Sequence, residues 1–125
     1  MDTIKFSNQW NGKLKCKVFT TLRLKSFKYQ IGKTFRIELN GEYIGKATIK
    51  GMRILKLNKI NEFISLLDAG LEPPQMVNML KTMYKNKVPN IDAAEFYYIL
   101  LKWDTEQTLD LDGGGKEKAN SQEIS

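Results

Sequence analysis

Lys33-Thr34-Phe35-Arg36-Ile37-Glu38-Leu39-Asn40-Gly41-Glu42-Tyr43-Ile44-Gly45-Lys46-Ala47-Thr48-Ile49 is the stretch that decides the fold. Phe35, Ile37 and Leu39 alternate with Thr34, Arg36 and Glu38, the two-residue period of a half-buried strand. Asn40-Gly41 follows, and both positions of a two-residue hairpin turn favour residues that tolerate φ > 0. Ile44-Gly45-Lys46 then starts a return strand running toward Ile49. The reading is a two-stranded antiparallel ribbon, entered through Gly32.

Working outward, Thr3 to Phe6 reads as a short strand and Ser7 to Lys13 as a loop anchored by Trp10. Lys15 to Leu24 alternates as a strand, with Cys16, Val18, Thr20 and Leu22 on one face and Lys15, Lys17, Phe19, Thr21 and Arg23 on the other. The return strand of the hairpin extends toward Leu55, and Gly51 inside it predicts a bulge or bend. Asn58 is placed as the N-cap of a helix over roughly 59–68, with Ile60, Phe63, Ile64 and Leu67 as its apolar set. Gly70 ends that helix. Pro73-Pro74 open a second one, whose buried stripe is Val77, Leu80, Met83 and Tyr84. Phe96 to Trp103 is a last strand, partly buried on both faces. This order predicts an α+β domain over residues 1–103, a mostly antiparallel β-barrel with two helices flanking its mouth. Residues 104–125 predict an acidic, Gly-rich, disordered tail, because they hold too little apolar surface to bury.

The 125 residues carry a net charge of +6, unevenly placed. Residues 1–103 hold 18 basic against 8 acidic side chains, a balance of +10, and the remainder is net acidic. Lys13, Lys15, Lys17, Arg23, Lys25 and Lys28 fall in a run with no acid between Thr3 and Glu38, and Lys46 lies on the hairpin. Such a field concentrates polyanions, so these seven residues are the candidate nucleic-acid contacts. Arg23 offers a bidentate fork for phosphate or a base edge, and Tyr29, Tyr43 or Tyr84 offers a face for stacking.

The chain has no histidine and one cysteine, Cys16. That excludes Ser-His-Asp and Cys-His catalysis, imidazole metal ligands and an internal disulfide. No metal or cofactor site is expected, and Asp110-Leu111-Asp112 lacks the rest of a calcium loop. No apolar run approaches the ~20 residues that span a bilayer. A cytosolic monomer whose partner is RNA or a nucleotide is the expectation.

Five segments in this order resemble the ASCH branch of the PUA-like superfamily: Thr21-Leu22-Arg23, Gly32-Lys33-Thr34-Phe35-Arg36-Ile37, Asn40-Gly41 with Ile44-Gly45-Lys46-Ala47-Thr48-Ile49, Leu55-Lys56-Leu57, and Phe96-Tyr97-Tyr98-Ile99-Leu100-Leu101. The resemblance spans about Thr3 to Trp103. It implies a barrel whose cleft holds RNA or a modified base. It also implies, as an alternative, an amidohydrolase that removes the acyl group of N4-acetylcytidine. The implied catalytic set is the threonine of the triplet, Thr21, an acid in the first helix, Asp68, and a lysine. The family's lysine position falls on Val18 here, so Lys17, or Lys13, would supply the amine. Along a regular strand Lys17 and Thr21 stand about 13 Å apart, so direct activation would need a bulge. A third reading is a protein-interaction module from a mobile element.

Overall fold

The structure, a computed structural model, describes residues 1–7 and 10–104, with the side chains of residues 10 and 11 outside that description. The anchor role expected of Trp10 and the tail from residue 105 onward therefore lie outside the described residues. Five strands form one sheet: β1 (Thr3–Phe6), β2 (Val18–Leu24), β3 (Thr34–Leu39), β4 (Glu42–Leu55) and β5 (Phe96–Trp103), in the order β1-β3-β4-β5-β2. Two helices, α1 (Glu62–Ala69) and α2 (Pro73–Tyr84), lie between β4 and β5 in the chain. The fold is α+β, as expected.

The hairpin forms where the sequence places it. Asn40 and Gly41 both take φ > 0, at 54° and 85°. Gly51 marks a break in the β4–β5 register, where Lys50 is the extra residue, and the 14-residue β4 bends there while pairing with both β3 and β5. A second register shift, in the β3–β4 ladder, leaves Ile44 as the extra residue.

One pairing differs from expectation. β1 runs parallel to β3, Thr3 opposite Arg36 through Phe6 opposite Leu39, so the sheet is mixed. The segment from Ser7 to Lys17 is long enough to carry the chain away from β1, which frees it from hairpin geometry. Part of that segment, read from sequence as loop and strand, is a 3-10 turn over Trp10–Lys15. Strand β2 consequently starts at Val18 rather than Lys15.

The sheet curls into a half-barrel. Its outer strands β1 and β2 share no described backbone ladder, yet their side chains meet: the Phe6 and Phe19 rings pack edge to face at 6.0 Å. Inside the curl Ile4, Leu14, Phe35, Ile37, Ile49, Ile99 and Leu101 are fully buried. Outside it, Leu22, Leu57, Ile60, Met76, Leu80 and Phe96 form a second core under the helices. No helix among the described residues is long and apolar enough to cross a membrane.

Helix boundaries follow the caps. Leu57–Lys59 is a separate 3-10 turn, and Asn61, not Asn58, caps α1, its side chain accepting from the Ile64 N–H at 3.0 Å. Gly70 ends α1 in the left-handed conformation and Pro73-Pro74 open α2. The buried face of α1 is Ser65, Asp68 and Ala69, whereas Phe63 and Leu67, expected inside, are exposed. On α2, Met76 and Leu80 are buried and Met83 is exposed.

Candidate functional site

Strand alternation assigns the two faces of β2. Phe19, Thr21 and Arg23 point into the half-barrel, whereas Val18, Thr20 and Leu22 point toward the helices. Lys13 arrives from the 3-10 turn, where the neighbouring Leu14 is fully buried and Gly12 takes a φ of 66°. Asp68 arrives from the inward face of α1, one residue before the Ala69-Gly70 end.

These three elements meet at Asp68. Its Oδ1 accepts from Lys13 Nζ at 3.1 Å and from the Thr20 hydroxyl at 2.7 Å. Lys13 is 6% exposed and Asp68 3%. Burial pushes the Lys13 ammonium below its usual pKa, against the pull of the Asp68 charge and hydrogen bond, and Arg23 adds to the lowering. Beside them, Tyr98 on β5 is held above the usual phenol value by burial, with a side-chain hydrogen bond to Thr20 opposing it.

A second group lies between β1 and β2. Arg23 donates from Nε to the Thr21 hydroxyl at 2.9 Å and from Nη2 to the Lys5 carbonyl at 2.8 Å. The latter bond crosses the opening from one outer strand to the other. The Arg23 guanidinium stands 4.8 Å and the Lys13 ammonium 5.3 Å from the centroid of the Phe6 ring. Both cations thus share one aromatic ring, an arrangement that favours positive charge over a π face.

Asp68 is therefore at the centre of a cluster, but its threonine is Thr20, not Thr21. Thr21 is buried on the other face of the strand and its hydroxyl serves Arg23. Of the two amines proposed from sequence, Lys13 reaches Asp68. Lys17 is exposed, and its carbonyl receives the Trp103 N–H. Lys15, Lys28 and Lys46 are exposed as well, Lys28 lying 5.2 Å from the centroid of the Tyr29 ring. Lys25 pairs with Glu95 at 3.0 Å. Tyr29 is buried against Phe35, and Tyr84 packs edge to face on Phe96. Tyr43 keeps an exposed face, with Arg36 4.2 Å from its centroid. As members of the cluster, Thr20 and Tyr98 were missed by sequence reasoning. The parity of β2 relative to the helix layer would have found Thr20. Among the described residues no group of His, Cys, Asp or Glu side chains is arranged to hold a metal ion.

The fold and cluster define a small α+β half-barrel with a buried Lys-Asp-Thr set where its edge strand meets a helix. No family model matches the chain, and no curated protein matches it by sequence. Among solved structures, a protein of Enterococcus faecalis assigned to family DUF984 is similar in fold, with a TM-score of 0.57 at 13% identity, over 94% of this chain and 85% of that one.

Proposed function

We propose that this chain is an RNA- or nucleotide-binding module of ASCH type whose recognition site is the Lys13-Asp68-Thr20 cluster. The observation that carries the reading is a buried, hydrogen-bonded polar set in a domain with a large excess of basic side chains. An isolated buried ion pair contributes little net stability, because desolvating both charges offsets their attraction. Such a pair is better accounted for where a ligand uses it. Thr20 and Tyr98, both part-buried, supply hydroxyl groups that suit the polar edge of a base. On the surface of the domain, the exposed Lys15, Lys17, Lys28 and Lys46 would neutralise phosphates without strict geometry. The test is anisotropy of labelled single-stranded RNA fragments over a salt series. Binding that weakens steeply with salt and is lost in Asp68→Asn supports the reading; no binding at low salt ends it.

A second reading, hydrolysis of an acylated nucleoside, is favoured by one contact: the Thr20 hydroxyl donates to the carboxylate that also holds Lys13. A hydroxyl beside a proton acceptor can attack an acyl carbon, and an amine of lowered pKa can carry the proton onward to the leaving nitrogen. Incubation with N4-acetylcytidine checks this. Acetate release that stops in Thr20→Ala and persists in Thr21→Ser supports it, and the absence of release removes it.

A further inference from the structure

Arg23 is not explained by the site just described. Its guanidinium is half-buried, and its described partners are two neutral oxygens, the Thr21 hydroxyl and the Lys5 carbonyl. Among the described residues no carboxylate lies within ion-pair distance of it. The neighbouring Lys13 has Asp68, so the pair of cations on the Phe6 ring shares one carboxylate and the group keeps one uncompensated positive charge. Asp2, on the side of Tyr29, is taken by Lys33 at 2.7 Å. A guanidinium has five N–H donors, of which the two described bonds use two. Tyr29, buried on the inner side and within the influence of Arg23, keeps its phenol protonated because burial raises its pKa. The side chains around the opening are thus mainly donors and cations. Strand geometry adds to them. β2 bonds to β5 through its odd-numbered residues, since at its two ends the Lys17 carbonyl accepts from the Trp103 N–H and the Lys25 N–H donates to the Glu95 carbonyl. The amides and carbonyls of the even-numbered residues therefore turn toward the same opening, the amides adding donors to it.

We propose that the opening between β1 and β2 is a phosphate site, in which the unused N–H groups of Arg23 grip a tetrahedral oxyanion and Lys13 contributes charge from behind. A planar fork of donors matches two oxygens of a phosphate, and an acceptor-only anion supplies the charge that the protein itself omits. A phosphate offers more acceptor oxygens than a carboxylate to the unused N–H groups of Arg23 and the free amides of β2. The source of the phosphate, a nucleotide or the free ion, rests on the nucleotide reading above; the site itself does not.

The test uses the full chain, unmodified, with the Nε–H signals of Arg23, Arg36 and Arg53 assigned by NMR. Sodium phosphate, cytidine monophosphate, cytidine and sodium chloride are titrated at matched ionic strength. A saturable shift of the Arg23 signal with phosphate and with the monophosphate, but not with cytidine or chloride, is expected. A response to the monophosphate alone also supports the proposal and identifies the nucleotide as the source. No shift, or a shift that chloride or cytidine reproduces, overturns it. Arg23→Lys, which keeps the charge and loses the fork, is expected to weaken phosphate binding about tenfold, whereas Lys87→Gln, an exposed lysine beyond α2, leaves it unchanged. Unchanged affinity in Arg23→Lys counts against the proposal, and if that variant does not fold the wild-type titration still decides. Phosphate binding without RNA binding would leave this inference standing and remove the RNA reading.

Discussion

Two adjacent threonines show how far a single residue's position can be read. The Thr21-Leu22-Arg23 motif is visible in the sequence, but which threonine meets the acid depends on which side of β2 the helices cover, and no residue within the motif encodes that. The acid itself, Asp68, was legible, and so was Lys13 as one of two candidate amines. The 3-10 turn that carries Lys13 inward was not, because its polar residues match a solvated loop equally well. Thr20→Ala is expected to cost ~1–3 kcal/mol, since Asp68 stays buried with one donor fewer, and chemical denaturation checks this. Asp68→Asn leaves the Lys13 ammonium buried without its counter-charge, and a loss of ~3–5 kcal/mol should follow. The double change Lys13→Met with Asp68→Leu should recover most of that stability while ligand binding stays absent, which separates use of the pair by a ligand from any need of the fold for it. Gly45 is a sharper case. Its φ is 149°, and an added Cβ would sit 2.9 Å from the Trp103 ring. That ring packs on Phe19 at 5.0 Å and has little room to yield. Gly45→Ala should therefore lower stability by ~1–3 kcal/mol, measurable as a drop in Tm.

Among the elements, α1 departs most from what its sequence suggests. Ile60, Phe63, Ile64 and Leu67 recur at helical spacing, yet the helix turns Ser65, Asp68 and Ala69 inward. The reason is long-range. Asp68 finds Lys13 and Thr20 in the layer beneath, and satisfied buried polar contacts prevail over a modest apolar preference on so short a helix. Local periodicity carries no information about partners 48 and 55 residues away. Where the determinants are local, the reading succeeded: the Asn40-Gly41 turn, the Gly70 stop, the Pro73-Pro74 start and the whole of β5. Helix-wheel logic would therefore mislead an engineer. Ser65→Leu, an apparent improvement, should destabilise by ~1–3 kcal/mol because Ser65 has no exposed surface and a larger side chain has nowhere to go. Phe63→Ser should change stability by no more than about 0.5 kcal/mol. Asn61→Ala removes the cap bond to Ile64 and should cost about 1 kcal/mol. Denaturant midpoints of the three variants rank these effects.

For the molecule as a whole, charge and burial set the response to solvent. If RNA lies along the exposed lysines, each of Lys15→Gln and Lys17→Gln should reduce the slope of log affinity against log salt by roughly 0.7, while Lys25→Gln, whose amine Glu95 already holds, should reduce it less. In alkali two tyrosines contribute to the pH dependence of stability. Burial raises Tyr29 and Tyr98, so the folded state keeps those protons after the unfolded chain has begun to release them near pH ~10. Their stabilising contribution is complete below that value and disappears as pH rises through the raised folded values. An ultraviolet titration should show Tyr29 and Tyr98 ionising late, together with a falling Tm. The incomplete ring has a consequence of its own. Where β1 faces β2, one guanidinium does the work of a row of backbone bonds. Swinging β1 outward would bare a rim of amides and carbonyls along each lip, and at high concentration two such molecules could lend each other the missing rung. An exchanged dimer that accumulates with concentration and dissolves on dilution is the failure this architecture invites.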